Sequence, residues 1–122
     1  MELSLNAKAI LNEIFGALTR LAAAGEDWTI FINKMPLTFD DRQAIHDFLG
    51  KGDVRVNLQS SERAEWQESG TPGVWYGVFY DHADKPVLET IEICTFPKVA
   101  AAQVEDIKSG VEILQEKLAK LA

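Results

Sequence analysis

Apolar residues first recur at helical spacing between Leu3 and Ala24, where Leu11, Ile14, Phe15, Leu18, Leu21 and Ala22 fall three and four apart with Asn12, Glu13 and Arg20 between them. This pattern predicts an amphipathic helix. Gly25 is placed to close it, because glycine enters the left-handed conformation of a helix C-terminus at little steric cost. The period then drops to two: in Trp28-Thr29-Ile30-Phe31-Ile32 the residues Trp28, Ile30 and Ile32 share one face of a strand, which Pro36 ends. Thr38 to Leu49 reads as a second helix, with Thr38 or Asp40 able to cap it and Asp41 near its positive end; Gly50 and Gly52 close it.

Four strand-like runs follow: Val54 to Leu58, Arg63 to Ser69, Val74 to Tyr80 and Val87 to Phe96. The segments between them (Ser60-Ser61, Gly70-Thr71-Pro72-Gly73, Asp81 to Pro86) are rich in turn residues and too short for a crossover helix, so successive strands must run antiparallel as a meander. Val54, Val56 and Leu58 alternate with Arg55 and Asn57, and Arg63, Glu65 and Gln67 oppose Ala64 and Trp66, which predicts a sheet with one wet face. The last segment places Val104, Ile107, Val111, Leu114, Leu118 and Leu121 on one stripe, with Glu105, Lys108, Glu112, Glu116, Lys117 and Lys120 turned away. Most simply, this long C-terminal helix lays its stripe on the core; the alternative is pairing between two copies as a homodimer. The order α-β-α-β-β-β-β-α predicts an α+β fold, a mainly antiparallel sheet with helices packed on one face, in a single domain over residues 1–122.

Composition narrows the function. The chain has 122 residues, 47% hydrophobic and 25% charged, the profile of a packed globular domain. With a net charge of −7 and its Lys and Arg scattered, it has no basic stripe to collect phosphates, which argues against nucleic acid as a partner. The acid at Glu2 stands where a signal peptide carries positive charge, and no apolar run approaches membrane-spanning length, so no membrane insertion and a cytoplasmic location are expected.

No residue constellation for catalysis emerges. His46 and His82 lie outside any metal-ligand spacing, and Gly50-Lys51-Gly52 follows a helix and precedes a strand, the reverse of a phosphate-binding loop. Cys94, the single cysteine, sits among Ile91, Ile93 and Phe96, where burial suppresses the thiolate. No cofactor motif and no metal site are expected. Glu65, Glu68, Glu89 and Glu92 lie on three strand-like runs and could converge to bind a small molecule or a hard cation, although Glu89 and Glu92, three apart, should point to opposite faces. The aromatic run Trp75 to Tyr80, with Trp28 and Trp66, fits either a core or a binding face.

Several segments together carry a resemblance. Pro36-Leu37-Thr38 with Asp41-Arg42, Leu49 to Val54, Gln67-Glu68-Ser69-Gly70-Thr71-Pro72-Gly73-Val74-Trp75, Glu89 to Ile93 and Glu105 to Gly110 occur in the order seen in the C-terminal conserved domain of the HupH/HyaF-type hydrogenase expression/formation proteins. The Pro72-Gly73-Val74-Trp75 core with Glu68 before it is the most specific part, and Thr71 stands where an apolar residue is usual. The resemblance implies a non-catalytic accessory protein, a chaperone or scaffold in nickel-iron hydrogenase maturation. Its partners would be the iron-sulfur small subunit of the hydrogenase or other maturation proteins. On that reading Glu68, Pro72, Gly73, Trp75, Glu89 and Glu92 form the client-binding surface, Trp75 anchoring an apolar residue and the glutamates pairing with basic ones. The alternative is that Pro72-Gly73 only connects strands and Trp75 only fills the core.

Overall fold

The computed structural model describes residues 3–121; Glu2 lies outside them. Helix α1 spans Leu5–Ala24. Ser4 caps it by accepting the Ala7 N–H, and Gly25, at φ 71°, closes it as expected, its N–H donating to the Leu21 carbonyl. Its buried stripe is Ala7, Ile10, Ile14 and Ala17, with Leu11, Leu18 and Leu21 at the margins, whereas Phe15 and Ala22 face solvent. The two small alanines let α1 approach the sheet closely, a role that a count of large apolar residues passes over.

Strand β1 is Trp28–Phe31. Ile32, expected as its last residue, instead opens a 3₁₀ turn over Ile32–Lys34 and is still buried. Helix α2 spans Phe39–Leu49, and Thr38 is its cap: the Thr38 hydroxyl accepts the Asp41 N–H while the Asp41 carboxylate accepts the Thr38 N–H. Asp41 also accepts from the Ser4 hydroxyl, so one carboxylate ties together the starts of both helices. That bond, followed by the one from Thr38, holds the Asp41 carboxyl below the usual carboxylate range.

The meander follows as β2 (Arg55–Leu58), β3 (Ala64–Glu68), β4 (Val74–Tyr80) and β5 (Pro86–Ile93). All pairings are antiparallel, and β1 joins the free edge of β5, giving the order β1-β5-β4-β3-β2. A bulge lies between Phe79 and Tyr80. Helices α1 and α2 cover one face, where Ile30, Val74, Ile91 and Ile93 meet Ile10, Ile14, Ile45 and Leu49.

Two expectations are corrected here. The sheet has no simply wet face. Val56, Leu58, Ala64 and Trp66 turn away from the helices and, with Trp75, Phe79, Cys94 and Ala100, form a second apolar cluster. Glu65 and Gln67, paired with Val78 and Tyr76, lie on the helix side, whereas Arg63, just before β3, lines the groove with Leu58, Ala64 and Phe79. The alternation in β2 and β3 was legible, but which side carried the helices was not. The C-terminal helix, α3 (Val104–Ala119), forms as predicted yet has no buried residue, so its apolar stripe is not part of this chain's core.

At the centre of the second cluster the Trp66 indole N–H and the Thr90 hydroxyl both donate to Glu92 Oε2 at 2.8 Å. They meet above Gly77, where an added Cβ would press on the Thr90 hydroxyl and lie 2.8 Å from Glu92 Oε2. Trp66→Ala removes a fully buried ring and one of the donors to a buried carboxylate, so it should lower stability by about 3–5 kcal/mol. Urea unfolding of this variant should show a large drop in midpoint; a change under about 1 kcal/mol would mean that the ring does not fill the second cluster.

Candidate functional site

One concavity runs between α2 and the sheet. Phe39, Arg42, Gln43 and His46, at helical steps of three and four, face Tyr76 and Val78 of β4 and Glu89 of β5 around a cavity of about 310 Å³. A second cavity of about 470 Å³ shares His46 and Tyr76 and continues to Gly50, Lys51 and Gln67. Its far end meets the Ser69–Gly73 turn, because the Gly50 and Gly70 backbones touch: a Cβ on Gly70 would lie 2.7 Å from the Leu49 carbonyl oxygen. Glycines at these positions let the two loops close one wall of the groove.

Arg42 Nη1 donates to Glu89 Oε2 at 2.7 Å, while its Nε is buried without a partner. The Tyr76 hydroxyl is likewise buried and unpartnered. His46 stacks on the Tyr76 ring with centroids 4.0 Å apart. Desolvation pushes the Tyr76 hydroxyl up from its ordinary value and pulls His46 down, more than the Glu89 and Asp47 charges raise it. At neutral pH the groove therefore offers a neutral imidazole, a protonated phenol and a spare guanidinium N–H over an apolar floor: donors suited to carbonyl or carboxylate acceptors. No nucleophile stands against a base here.

The residues proposed from the sequence are partly brought together. Glu68, Trp75 and Glu92 are cross-strand neighbours in one row, with Pro72 and Gly73 at its end; the Gly73 N–H points at Glu68 Oε2 at 3.5 Å. Glu89 lies on the opposite face, in the α2 groove, as the spacing of three from Glu92 required. Trp75 is only 2% exposed: its indole N–H donates to the Cys94 carbonyl, and Phe96 of its own chain stands edge-on over it at 5.9 Å. The position a client side chain would take is thus filled from within. Half-buried Glu68 and Gly73, with exposed Pro72 between them, are what that corner presents.

Three of the four strand carboxylates take separate side-chain partners. Glu65 receives Arg63, Arg55 and the Tyr80 hydroxyl, Glu89 receives Arg42, and Glu92 receives Trp66 and Thr90. Among the described residues no three His, Cys, Asp or Glu are grouped to hold a metal. Cys94 is buried, and desolvation, with Glu92 nearby, pushes its thiol up to about 12. Arg42, His46 and Tyr76 escaped the sequence reading as a site. The one available signal was the shared helical face of Phe39, Arg42 and His46.

Fold and groove define a two-layer α+β domain with an open cleft between α2 and the sheet. The chain belongs to the family of the HupH hydrogenase expression protein, C-terminal conserved region, whose profile matches residues 4–121. The hydrogenase expression/formation protein HoxQ of Azotobacter vinelandii is 30% identical over 114 residues, covering 92% of this chain and 40% of that protein. HupH of Rhodobacter capsulatus is 30% identical over 113 residues, 93% of this chain and 41% of that protein. This chain thus spans about two-fifths of the length of these relatives. The solved structure of the hydrogenase expression protein HupH from Thiobacillus denitrificans superposes with a TM-score of 0.88 at 28% identity, over 98% of this chain and 99% of that one.

His46 gives a pH prediction. Because its folded pKa lies below its ordinary 6.5, the native state resists protonation, so stability should be level above pH 6.5 and decline as pH falls below it toward the folded value. A second decline should begin near 3.8, where Asp41, ionised in the fold, is forced to protonate. NMR titration of the His46 ring should give a value below 6.5, and Tyr76→Leu, which removes the stacked phenol, should move it back toward 6.5.

Proposed function

We propose that this chain is a non-catalytic accessory protein, a chaperone or scaffold in nickel-iron hydrogenase maturation, and that it acts in the cytoplasm on the iron-sulfur small subunit before assembly. Family membership supports the hydrogenase connection. The observation that carries the chaperone reading is the α2 groove, an open apolar-floored cleft with two buried donors unpartnered within the chain and an exposed ring, Phe39, at its rim. An extended client segment laid along it would offer carbonyls to Arg42 Nε and the Tyr76 hydroxyl. It would continue past Lys51 to the corner of Glu68, Pro72 and Gly73, where basic client residues find acid. Trp75, Glu89 and Glu92 then support that surface from below: Glu89 holds Arg42, and Trp75 and Glu92 sit in the row behind the corner. No described helix is long and apolar enough to cross a membrane, which is compatible with this setting. The alternative reading, a carboxylate site for a metal or small molecule, would need Glu65, Glu68, Glu89 and Glu92 to share a cavity, and they lie on two faces.

Affinity capture from hydrogenase-expressing cells, with mass-spectrometric identification, tests this. The parent chain should recover a hydrogenase small-subunit precursor, and Phe39→Ala and Tyr76→Phe, both conservative of the fold, should each reduce recovery several-fold. Equal recovery by the variants would move the client to another surface; recovery of no hydrogenase component by the parent would overturn the maturation role.

A further inference from the structure

Helix α3 has an apolar stripe with nothing of its own chain to cover it. Val104, Ile107, Val111, Leu114, Leu118 and Leu121 are each more than half exposed. A 16-residue helix with Ser109-Gly110 at its middle and no packed face is marginal in water, since helices of this length owe their stability to tertiary burial. A stripe of this size is also larger than a monomer ordinarily leaves bare. Something must cover it.

The same chain carries an unfilled apolar surface of matching kind. The second face of the sheet is only partly covered by the Cys94–Gln103 segment, whose Pro97 is buried and whose Ala100 packs on the Trp66 cluster. Beyond that strap an open groove of about 490 Å³ has Leu58, Ala64, Phe79, Leu88 and Val99 in its apolar lining, with the polar residues 60–63 also bordering it. The strap is fastened by Gln103, whose side-chain amide donates to the Lys98 and Ala101 carbonyls at 2.9 Å, and it launches α3 clear of its own sheet.

We infer that α3 of one copy lies in this sheet groove of a second copy, and the reverse, in a two-fold dimer with exchanged helices. Stripe and groove reside on one chain, so a single isologous contact satisfies both and closes without further growth. The size is adequate: a stripe about 26 Å long and about 10 Å wide, buried on both sides and made twice, comes to on the order of 1,000 Å², the threshold for a specific interface. Charge does not oppose it. Glu105, Asp106, Glu112 and Glu116 on α3 are interleaved with Lys108, Lys117 and Lys120, and Glu62 beside Arg63 gives the groove rim both signs, although the whole chain carries −7. The α2 groove lies on the other face of the sheet and stays open in this dimer.

Sedimentation equilibrium with circular dichroism tests the arrangement. The parent should have twice the 13.6 kDa chain mass, and Leu114→Glu in the helix and Val99→Glu at the groove should each become monomeric with the strand signal kept. A monomeric parent would overturn the inference. A dimer broken by Leu114→Glu but not by Val99→Glu would overturn the sheet groove as the seat.

Discussion

Strand β4 carries side chains that must be kept from water on both of its faces, and the remainder of the molecule is arranged around that demand. Val74 and Tyr76 point to the helices, while Trp75 and Phe79 point away, with Gly77 between them. A strand of this kind cannot sit at an edge or on a half-solvated sheet. It occupies the centre of five strands, with β5 and β3 as neighbours. The helix layer of α1 and α2 serves one side. The other side receives only a loop, and its polar interior is a carboxylate held by an indole and a hydroxyl over a glycine. Burying Glu92 without a cation is tolerable because its oxygen accepts two short hydrogen bonds.

Each open surface follows from how these two sides are covered. On the helix side α2 reaches only as far as Leu49, so β3 and the ends of β4 and β5 are left beside it with polar side chains, and the space between becomes the groove of Arg42, His46 and Tyr76. On the far side the strap ends at Gln103 with the sheet still partly bare. Both are open surfaces with apolar lining, on a chain that belongs to the HupH hydrogenase expression family.

Much of the fold was legible in sequence because local rules and global packing agree: the caps at Thr38 and Gly25, the short turns that force a meander, and the helical period of the last segment all hold. What was not legible shares a cause. Periodicity says that a face is buried but not against what. The stripe of α3 reads the same whether it covers its own sheet or another's, and the alternation of β2 and β3 reads the same whichever face bears the helices. The six residues proposed for a client surface came from resemblance. Five lie together around the Pro72-Gly73 turn and Glu89 lies on the opposite face, but the burial of Trp75 under Phe96 depends on a loop fold that no pattern announced. The α2 groove depends on residues 34 apart in sequence, Arg42 and Tyr76, whose meeting is a matter of topology.

That the second face of the sheet is completed by a helix from another copy is the central claim, and hydrogen exchange of the α3 amides addresses it most directly. The account predicts that the amides of Ile107 to Leu118 in the full chain exchange at least tenfold more slowly than in a free peptide of residues 103–122, with protection of β4 and β5 as the internal reference. Exchange of α3 in the full chain at the free-peptide rate would contradict it.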